Sequence, residues 1–128
     1  MHHILKAHHP RRHAQSFKFA FEGLFHTLIN EPNFRVQIII TVTCVIFGFM
    51  FNISLIEWGL LIISLGFLLS AEMINTVVEN FVDVLIKEYH NGAKIIKDVS
   101  AGFVLIAAVT TMIILIIIFW EHLRGLFI

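Results

Sequence analysis

The chain has 128 residues, of which 58% are hydrophobic and only 14% are charged. A water-soluble domain of this length could not bury so much apolar surface, so the composition excludes an ordinary soluble fold. Nine lysines and arginines balance nine acidic residues, and no nucleic-acid partner is expected. The single cysteine, Cys44, implies no disulfide framework and is interpreted as a small buried apolar residue.

The N-terminal part divides into two segments. Residues 1–14 form a basic, histidine-rich lead without apolar periodicity, and we expect it to be mobile. Its histidine pairs at residues 2–3 and 8–9 could bind a metal, but they have no partner set at helical spacing. Residues 15–29 place apolar side chains at helix-face spacing, which predicts an amphipathic helix lying on the cytoplasmic membrane surface.

Three apolar runs then approach or exceed the length needed to cross a bilayer as a helix. The runs are Val36–Phe51, Ile53–Ala71 and Val99–Trp120, and the helical spans that contain them are predicted at about residues 34–51, 55–87 and 98–121. Pro32 interrupts the chain before the first run and holds Glu31 at a helix junction near the membrane surface. Ser54 is predicted to cap the second span, and Asp98 is predicted to lie in the first turn of the third.

The positive charges are distributed unevenly around these spans. Eight of the nine lysines and arginines precede the first span or lie between the second and the third, and only Arg124 follows the third. By the positive-inside rule, the N-terminus and the loop between spans two and three are cytoplasmic. The C-terminus is then expected outside.

Four polar residues interrupt the end of the second span: Glu72, Asn75, Glu79 and Asp83. Their spacing of three, four and four residues puts them on one helical face, here called the polar stripe. Carboxyl groups at the end of a membrane span are costly and usually functional. Glu72 lies nearest the apolar region, which suits a general base. Asp83 is left open between a structural and a direct role.

Further charges are expected at the same membrane level, namely Arg12, Glu31, Lys94, Lys97 and Asp98, together with His90. Carboxylates can hold Mg²⁺ with substrate phosphates, and lysines and arginines can bind those phosphates. These are the parts of phosphoryl transfer to a lipid hydroxyl. The known glycine-rich phosphate loops of soluble proteins are missing from the sequence.

Composition alone leaves an enzyme and a proton or cation pathway open. A pathway needs ionisable residues at several depths of the membrane, whereas these charges stop at one face. That distribution favours an interfacial enzyme. A small membrane scaffold, the third alternative, would need neither the polar stripe nor a cationic loop.

The polar stripe and the segments on either side of it resemble the motifs of a known protein family. The pattern Glu-x-x-Asn-x-x-x-Glu-x-x-x-Asp starts at Glu72, His90 follows, and Ala-Lys-x-x-Lys-Asp starts at Ala93. With the Glu-Pro-Asn-Phe-Arg segment at Glu31, this resembles the bacterial integral-membrane diacylglycerol kinase and undecaprenol kinase family over about residues 17–120. The resemblance implies an all-α membrane protein, with three transmembrane helices and an N-terminal surface helix, in the bacterial cytoplasmic (inner) membrane. It also implies homotrimers with shared active sites, in which residues 15–128 form a single kinase domain.

The resemblance further implies that MgATP donates its γ-phosphate to a lipid alcohol, with Mg²⁺ as cofactor. Glu72 would be the catalytic base, and Asn75 would orient Glu72 or the lipid hydroxyl. Glu31 and Glu79 would hold the metal. The residues implied to contact ATP are Arg12, Glu31, Glu79, Glu88, Tyr89, His90, Lys97 and Asp98. The residues implied to contact the lipid are Arg12, Glu72 and Ala101.

Two branches of this family differ in their lipid substrate. The Pro-Asn-Phe-Arg and Lys-Asp-Val-Ser-Ala-Gly segments are more similar to the undecaprenol branch. Phe19-Ala20-Phe21-Glu22 also departs from the Tyr-Ser-Trp-Lys type of the diacylglycerol branch. Undecaprenol is therefore the expected substrate, and diacylglycerol is the alternative.

Overall fold

The computed structural model describes residues 10–125. They form four consecutive helices: α1 (Pro10–Asn30), α2 (Pro32–Met50), α3 (Leu55–Leu85) and α4 (Asn91–Arg124). The prediction of an all-helical chain is confirmed for this range. Helices α2, α3 and α4 are each long and apolar enough to cross a membrane. The two histidine pairs of the lead lie outside the described residues.

The largest differences from the predicted helix bounds are at the starts of α1 and α4. Helix α1 begins at Pro10 rather than at residue 15. Helix α4 begins at Asn91, so the prediction that Asp98 lies in its first turn is wrong. The ring nitrogen Nδ1 of His90 accepts a hydrogen bond from the backbone N–H of Gly92 at 3.1 Å. Because this contact caps the helix, α4 starts two turns before Asp98.

The junction between α1 and α2 holds Glu31 in the predicted place. Glu31 has extended backbone angles (φ −103°, ψ 108°), and Pro32 is the first residue of α2. The guanidinium of Arg35 reaches back across the junction and donates to the carbonyl oxygens of Ile29 at 2.5 Å and Leu28 at 3.4 Å. These carbonyl groups lie in the last turn of α1, where no backbone N–H of the helix is available to them. Arg35 therefore caps the end of α1 and fixes the junction.

The turn between α2 and α3 is tight and capped. Asn52 has a φ of 51°, in the left-handed region that asparagine tolerates. The hydroxyl oxygen of Ser54 accepts a hydrogen bond from the backbone N–H of Glu57 at 3.3 Å. The Glu57 carboxylate in turn accepts a hydrogen bond from the backbone N–H of Ser54 at 2.6 Å. This capping box confirms the predicted cap at Ser54.

Helices α3 and α4 pack along much of their length. Leu61, Ala71 and Ala107 are fully buried, and the hydroxyl of Thr111 donates to the carbonyl of Ser64 at 3.0 Å. Small residues such as the two alanines allow the helix backbones to approach closely. Many other large apolar side chains of these helices are exposed, as is typical of surfaces that contact lipid.

Both long helices exceed the thickness of a bilayer. Helix α3 has 31 residues and α4 has 34, which correspond to about 46 Å and 51 Å. A hydrocarbon core is about 30 Å thick. The C-terminal end of α3 and the N-terminal end of α4 can therefore extend beyond the membrane together, and the polar stripe, Lys94, Lys97 and Asp98 lie at these ends.

Candidate active site

The polar stripe becomes more exposed along α3. Glu72 is 2% exposed, Asn75 and Glu79 are half-buried, and the side chain of Asp83 is 63% exposed. This order agrees with the predicted gradient from a deep Glu72 to a shallow Asp83. The four residues therefore occupy different environments, although they share one helical face.

Glu72 has a partner that the sequence motifs did not identify. The side-chain amide of Gln37 in α2 donates from Nε2 to Glu72 Oε2 at 3.0 Å, in buried surroundings. Gln37 itself is 9% exposed. The available clue was a strongly polar residue inside the otherwise apolar first span. The hydrogen bond ties the candidate base on α3 to the neighbouring helix.

Asn75 forms a hydrogen bond with Glu79. Its Nδ2 donates to Glu79 Oε1 at 3.0 Å, whereas the resemblance implies that Asn75 orients Glu72 or the lipid hydroxyl. Helical side chains lean toward the N-terminus, which brings the long Glu79 side chain back over Asn75 and directs Glu72 away from it. The amide oxygen of Asn75 is buried and has no hydrogen-bond partner among the described residues.

The lysines of α4 are paired with acidic side chains. Lys97 Nζ lies 3.0 Å and 3.2 Å from the two carboxylate oxygens of Asp83. Lys94 pairs with Asp98 one turn along the same helix. The hydrogen bond with Asp83, together with the charges of Asp83 and Glu79, raises the pKa of Lys97 above its ordinary value.

A cavity of about 330 Å³ lies between the C-terminal end of α3 and the start of α4. Its polar lining residues are Asp83, Glu88, Tyr89, His90, Lys94, Lys97 and Asp98. Five of these were predicted to contact a nucleotide, and the structure brings all five to one cavity. The chain between the helices is held there by a hydrogen bond from the Tyr89 hydroxyl to the Asn91 side chain at 2.9 Å.

The predicted metal ligands are Glu31 at the α1–α2 junction and Glu79 on α3. Among the side chains that the structure describes, no group of three or more His, Cys, Asp or Glu could hold a metal ion. Mg²⁺ often takes only one or two protein carboxylates and completes its shell with water and phosphate oxygens. The Asn75 contact engages only Oε1 of Glu79, so Oε2 stays out of that bond and fits such a ligand role.

Two further residues were predicted to contact the substrates. Ala101 is exposed on α4, one turn beyond Lys97. Arg12 lies in the first turn of α1, and its side chain is outside the part of the structure that is described. Ala101 does not line the cavity.

The fold and the site together define an all-helical membrane protein with a buried carboxylate on α3 and a charged cavity between α3 and α4. The chain belongs to the prokaryotic diacylglycerol kinase family, whose sequence model matches residues 18–119. The family resemblance noted from the motifs is confirmed.

Relatives with assigned activities match most of the chain. An undecaprenol kinase of Bacillus subtilis is 35% identical over 112 residues, which cover 88% of this chain and 91% of the relative. A diacylglycerol kinase of Escherichia coli K12 is 30% identical over 104 residues, covering 81% and 85%. A diacylglycerol kinase of Helicobacter pylori is 30% identical over 119 residues, covering 88% and 86%. The chain is therefore a lipid kinase.

Proposed function

We propose that the chain transfers the γ-phosphate of MgATP to undecaprenol at the cytoplasmic face of the bacterial inner membrane. One observation carries the proposal: Glu72, which is 2% exposed, lies on the same face of α3 as Asp83, which lines the charged cavity. A phosphate acceptor in the bilayer and a donor from water can meet along this face. The identity to an undecaprenol kinase, 35% against 30% for the diacylglycerol kinases of E. coli and H. pylori, supports the choice of lipid.

The spacing along α3 fits an extended nucleotide. With a rise of about 1.5 Å per residue, Glu79 lies about 10 Å from Glu72 along the helix axis, and Asp83 about 16 Å. The nucleoside would occupy the cavity beside Asp83 and Lys97. The triphosphate would pass Glu79 and end near Glu72, and Lys97 would compensate its charge.

In the proposed reaction the lipid hydroxyl oxygen attacks the γ-phosphorus. The bond between that phosphorus and the bridging oxygen breaks, and ADP leaves. Glu72 takes the hydroxyl proton. Glu79 and Glu31 would hold Mg²⁺, which when bound would neutralise charge on the phosphates. The hydrogen bond from Asn75 would keep the Glu79 carboxylate turned toward that position.

We further propose a homotrimer with active sites shared between subunits. The described chain offers fewer than three clustered metal-ligand side chains, and a neighbouring copy could supply the second carboxylate. Many apolar side chains on α2–α4 are exposed and available for contacts with lipid or with another copy.

Helix α1 exposes Phe17, Phe21 and Phe25, which suits a location at the membrane surface. The uneven distribution of lysine and arginine supports a cytoplasmic N-terminus and an external C-terminus.

Phosphorylation of diacylglycerol is the second candidate, because several relatives carry that name. To test this, purified protein is incubated with labelled ATP and Mg²⁺ in mixed micelles that contain either undecaprenol or diacylglycerol. The phosphorylated lipid is then identified, and kcat/KM is measured for each lipid. We expect undecaprenol to be phosphorylated with the higher kcat/KM. A higher kcat/KM for diacylglycerol would contradict the proposed substrate while leaving the lipid kinase activity in place.

A further inference from the structure

Gln37 is a buried polar residue that the proposed mechanism does not use. Its amide donates to Glu72 Oε2 at 3.0 Å, and this bond joins α2 to α3 across 35 residues of sequence. Gln37 and Glu72 are 9% and 2% exposed. A hydrogen bond from an amide to a carboxylate is charge-assisted, and it is stronger in buried surroundings than in water.

The orientation of the Gln37 side chain follows from its partner. An ionised carboxylate can only accept, so the amide nitrogen must face Glu72 and the amide oxygen must point away. That oxygen, Oε1, is buried and has no hydrogen-bond partner among the described residues. Burial of an unpaired amide oxygen is unfavourable. The contact with Glu72 is therefore the polar interaction that accounts for a glutamine at this position.

We propose that Gln37 is a positioning residue for the catalytic carboxylate, an inference that rests on the proposed function. A glutamate side chain has several rotatable bonds and populates several rotamers unless a second contact fixes it. The hydrogen bond holds Oε2 and leaves Oε1 of Glu72 to face the lipid hydroxyl. A general base must lie within hydrogen-bond distance of the proton that it takes, so loss of this contact lowers the rate of transfer.

The Gln37→Met variant keeps the approximate shape of the side chain and removes its donor and acceptor. We expect kcat to fall about 10- to 100-fold, the loss typical of a hydrogen bond to a charged group. The KM values for ATP and lipid stay near the wild-type values. Thr41→Val is the matched control, because Thr41 lies one turn further on α2 and donates to the Gln37 carbonyl at 2.8 Å without touching its amide. Its kcat stays unchanged.

A double-mutant cycle separates positioning from a general structural role. Because Gln37 acts through Glu72, Gln37→Met causes no further loss of the residual activity of Glu72→Gln. A purely structural role would lower the rate equally in both backgrounds. Gln37→Asn, which keeps an amide one methylene too short, loses a similar factor and serves if the methionine variant does not fold.

Two results would overturn the inference: wild-type kcat in both Gln37 variants, or an equal additional loss in the Glu72→Gln background. In either case the kinase activity of the wild-type chain and its dependence on Glu72 would still stand. If instead the wild-type chain phosphorylates no lipid alcohol, the proposed function itself fails. The two failures are therefore distinguishable in one set of assays.

Discussion

The contact between Asn75 and Glu79 gives a quantitative prediction for metal dependence. Asn75→Leu preserves the approximate volume of the side chain and removes the donor that lies 3.0 Å from Glu79 Oε1. The bond is partly buried and ends on a charged group, so its loss costs about 1.5–3 kcal/mol. That energy corresponds to about a 10- to 100-fold change in an equilibrium constant, the range found when groups that orient a metal ligand are removed.

The measurement is lipid phosphorylation as a function of free Mg²⁺ at saturating ATP and lipid. We expect the Mg²⁺ concentration for half-maximal rate to rise at least about 10-fold in Asn75→Leu, with kcat recovered at high Mg²⁺. Asn80→Leu is the control, since Asn80 is exposed on the same helix and off the polar stripe. It should leave the Mg²⁺ dependence unchanged.

The opposite pattern would refute this reasoning. If Asn75 instead orients Glu72 or the lipid hydroxyl, Asn75→Leu lowers kcat or raises the KM for lipid, and excess Mg²⁺ does not restore the rate. An unchanged Mg²⁺ requirement with a reduced kcat would therefore assign Asn75 to the acceptor side of the site.

Three further variants test separate parts of the molecule. Glu79→Gln removes a proposed metal ligand, and the Mg²⁺ requirement should rise more than in Asn75→Leu because the charge itself is lost. Lys97→Met removes a cation of the cavity, and the KM for ATP should rise about 10-fold, as expected for one charge-assisted contact. Gly48→Ala would place a methyl group 2.8 Å from the Trp58 ring, so the thermal midpoint should fall by several degrees, as overpacking costs about 1–3 kcal/mol.

The Gly48 test has a matched control, and each of the three tests has an outcome that would contradict it. Gly59→Ala meets no atom within 4 Å and should be neutral or stabilising, because alanine favours helix by up to about 1 kcal/mol. Equal thermal midpoints for the Gly48 and Gly59 variants would contradict the packing argument. A Glu79→Gln enzyme with wild-type Mg²⁺ dependence would remove Glu79 from the metal site. A wild-type KM for ATP in Lys97→Met would remove Lys97 from the nucleotide site.

The membrane helices and the polar stripe were predictable because they depend on local patterns. Apolar runs, the break at Pro32 and the cap at Ser54 are properties of a few adjacent residues, and the structure confirms them. The order of burial from Glu72 to Asp83 follows from the point at which the apolar run ends. Each of these features is set within one helix or one turn.

The contacts between side chains were less predictable. Asn75 is three residues from Glu72 and four from Glu79, and spacing alone allows either partner; the tilt of helical side chains selects Glu79. The bond from Gln37 to Glu72 depends on how α2 packs against α3, which no local pattern encodes. The start of α4 was placed too late because Asn91 and Gly92 are typical turn residues, whereas the His90 side chain caps a helix there.

The central claim is that Glu72 accepts the proton of the lipid alcohol during phosphate transfer, and Glu72→Gln tests it most directly. The measurement is single-turnover transfer from labelled ATP to undecaprenol in the presence of Mg²⁺, with binding of MgATP and the oligomeric state determined on the same sample. We predict that transfer falls by at least about 100-fold, the lower range for general-base catalysis, while MgATP binding and assembly stay at wild-type levels. Transfer at the wild-type rate in this variant would contradict the claim.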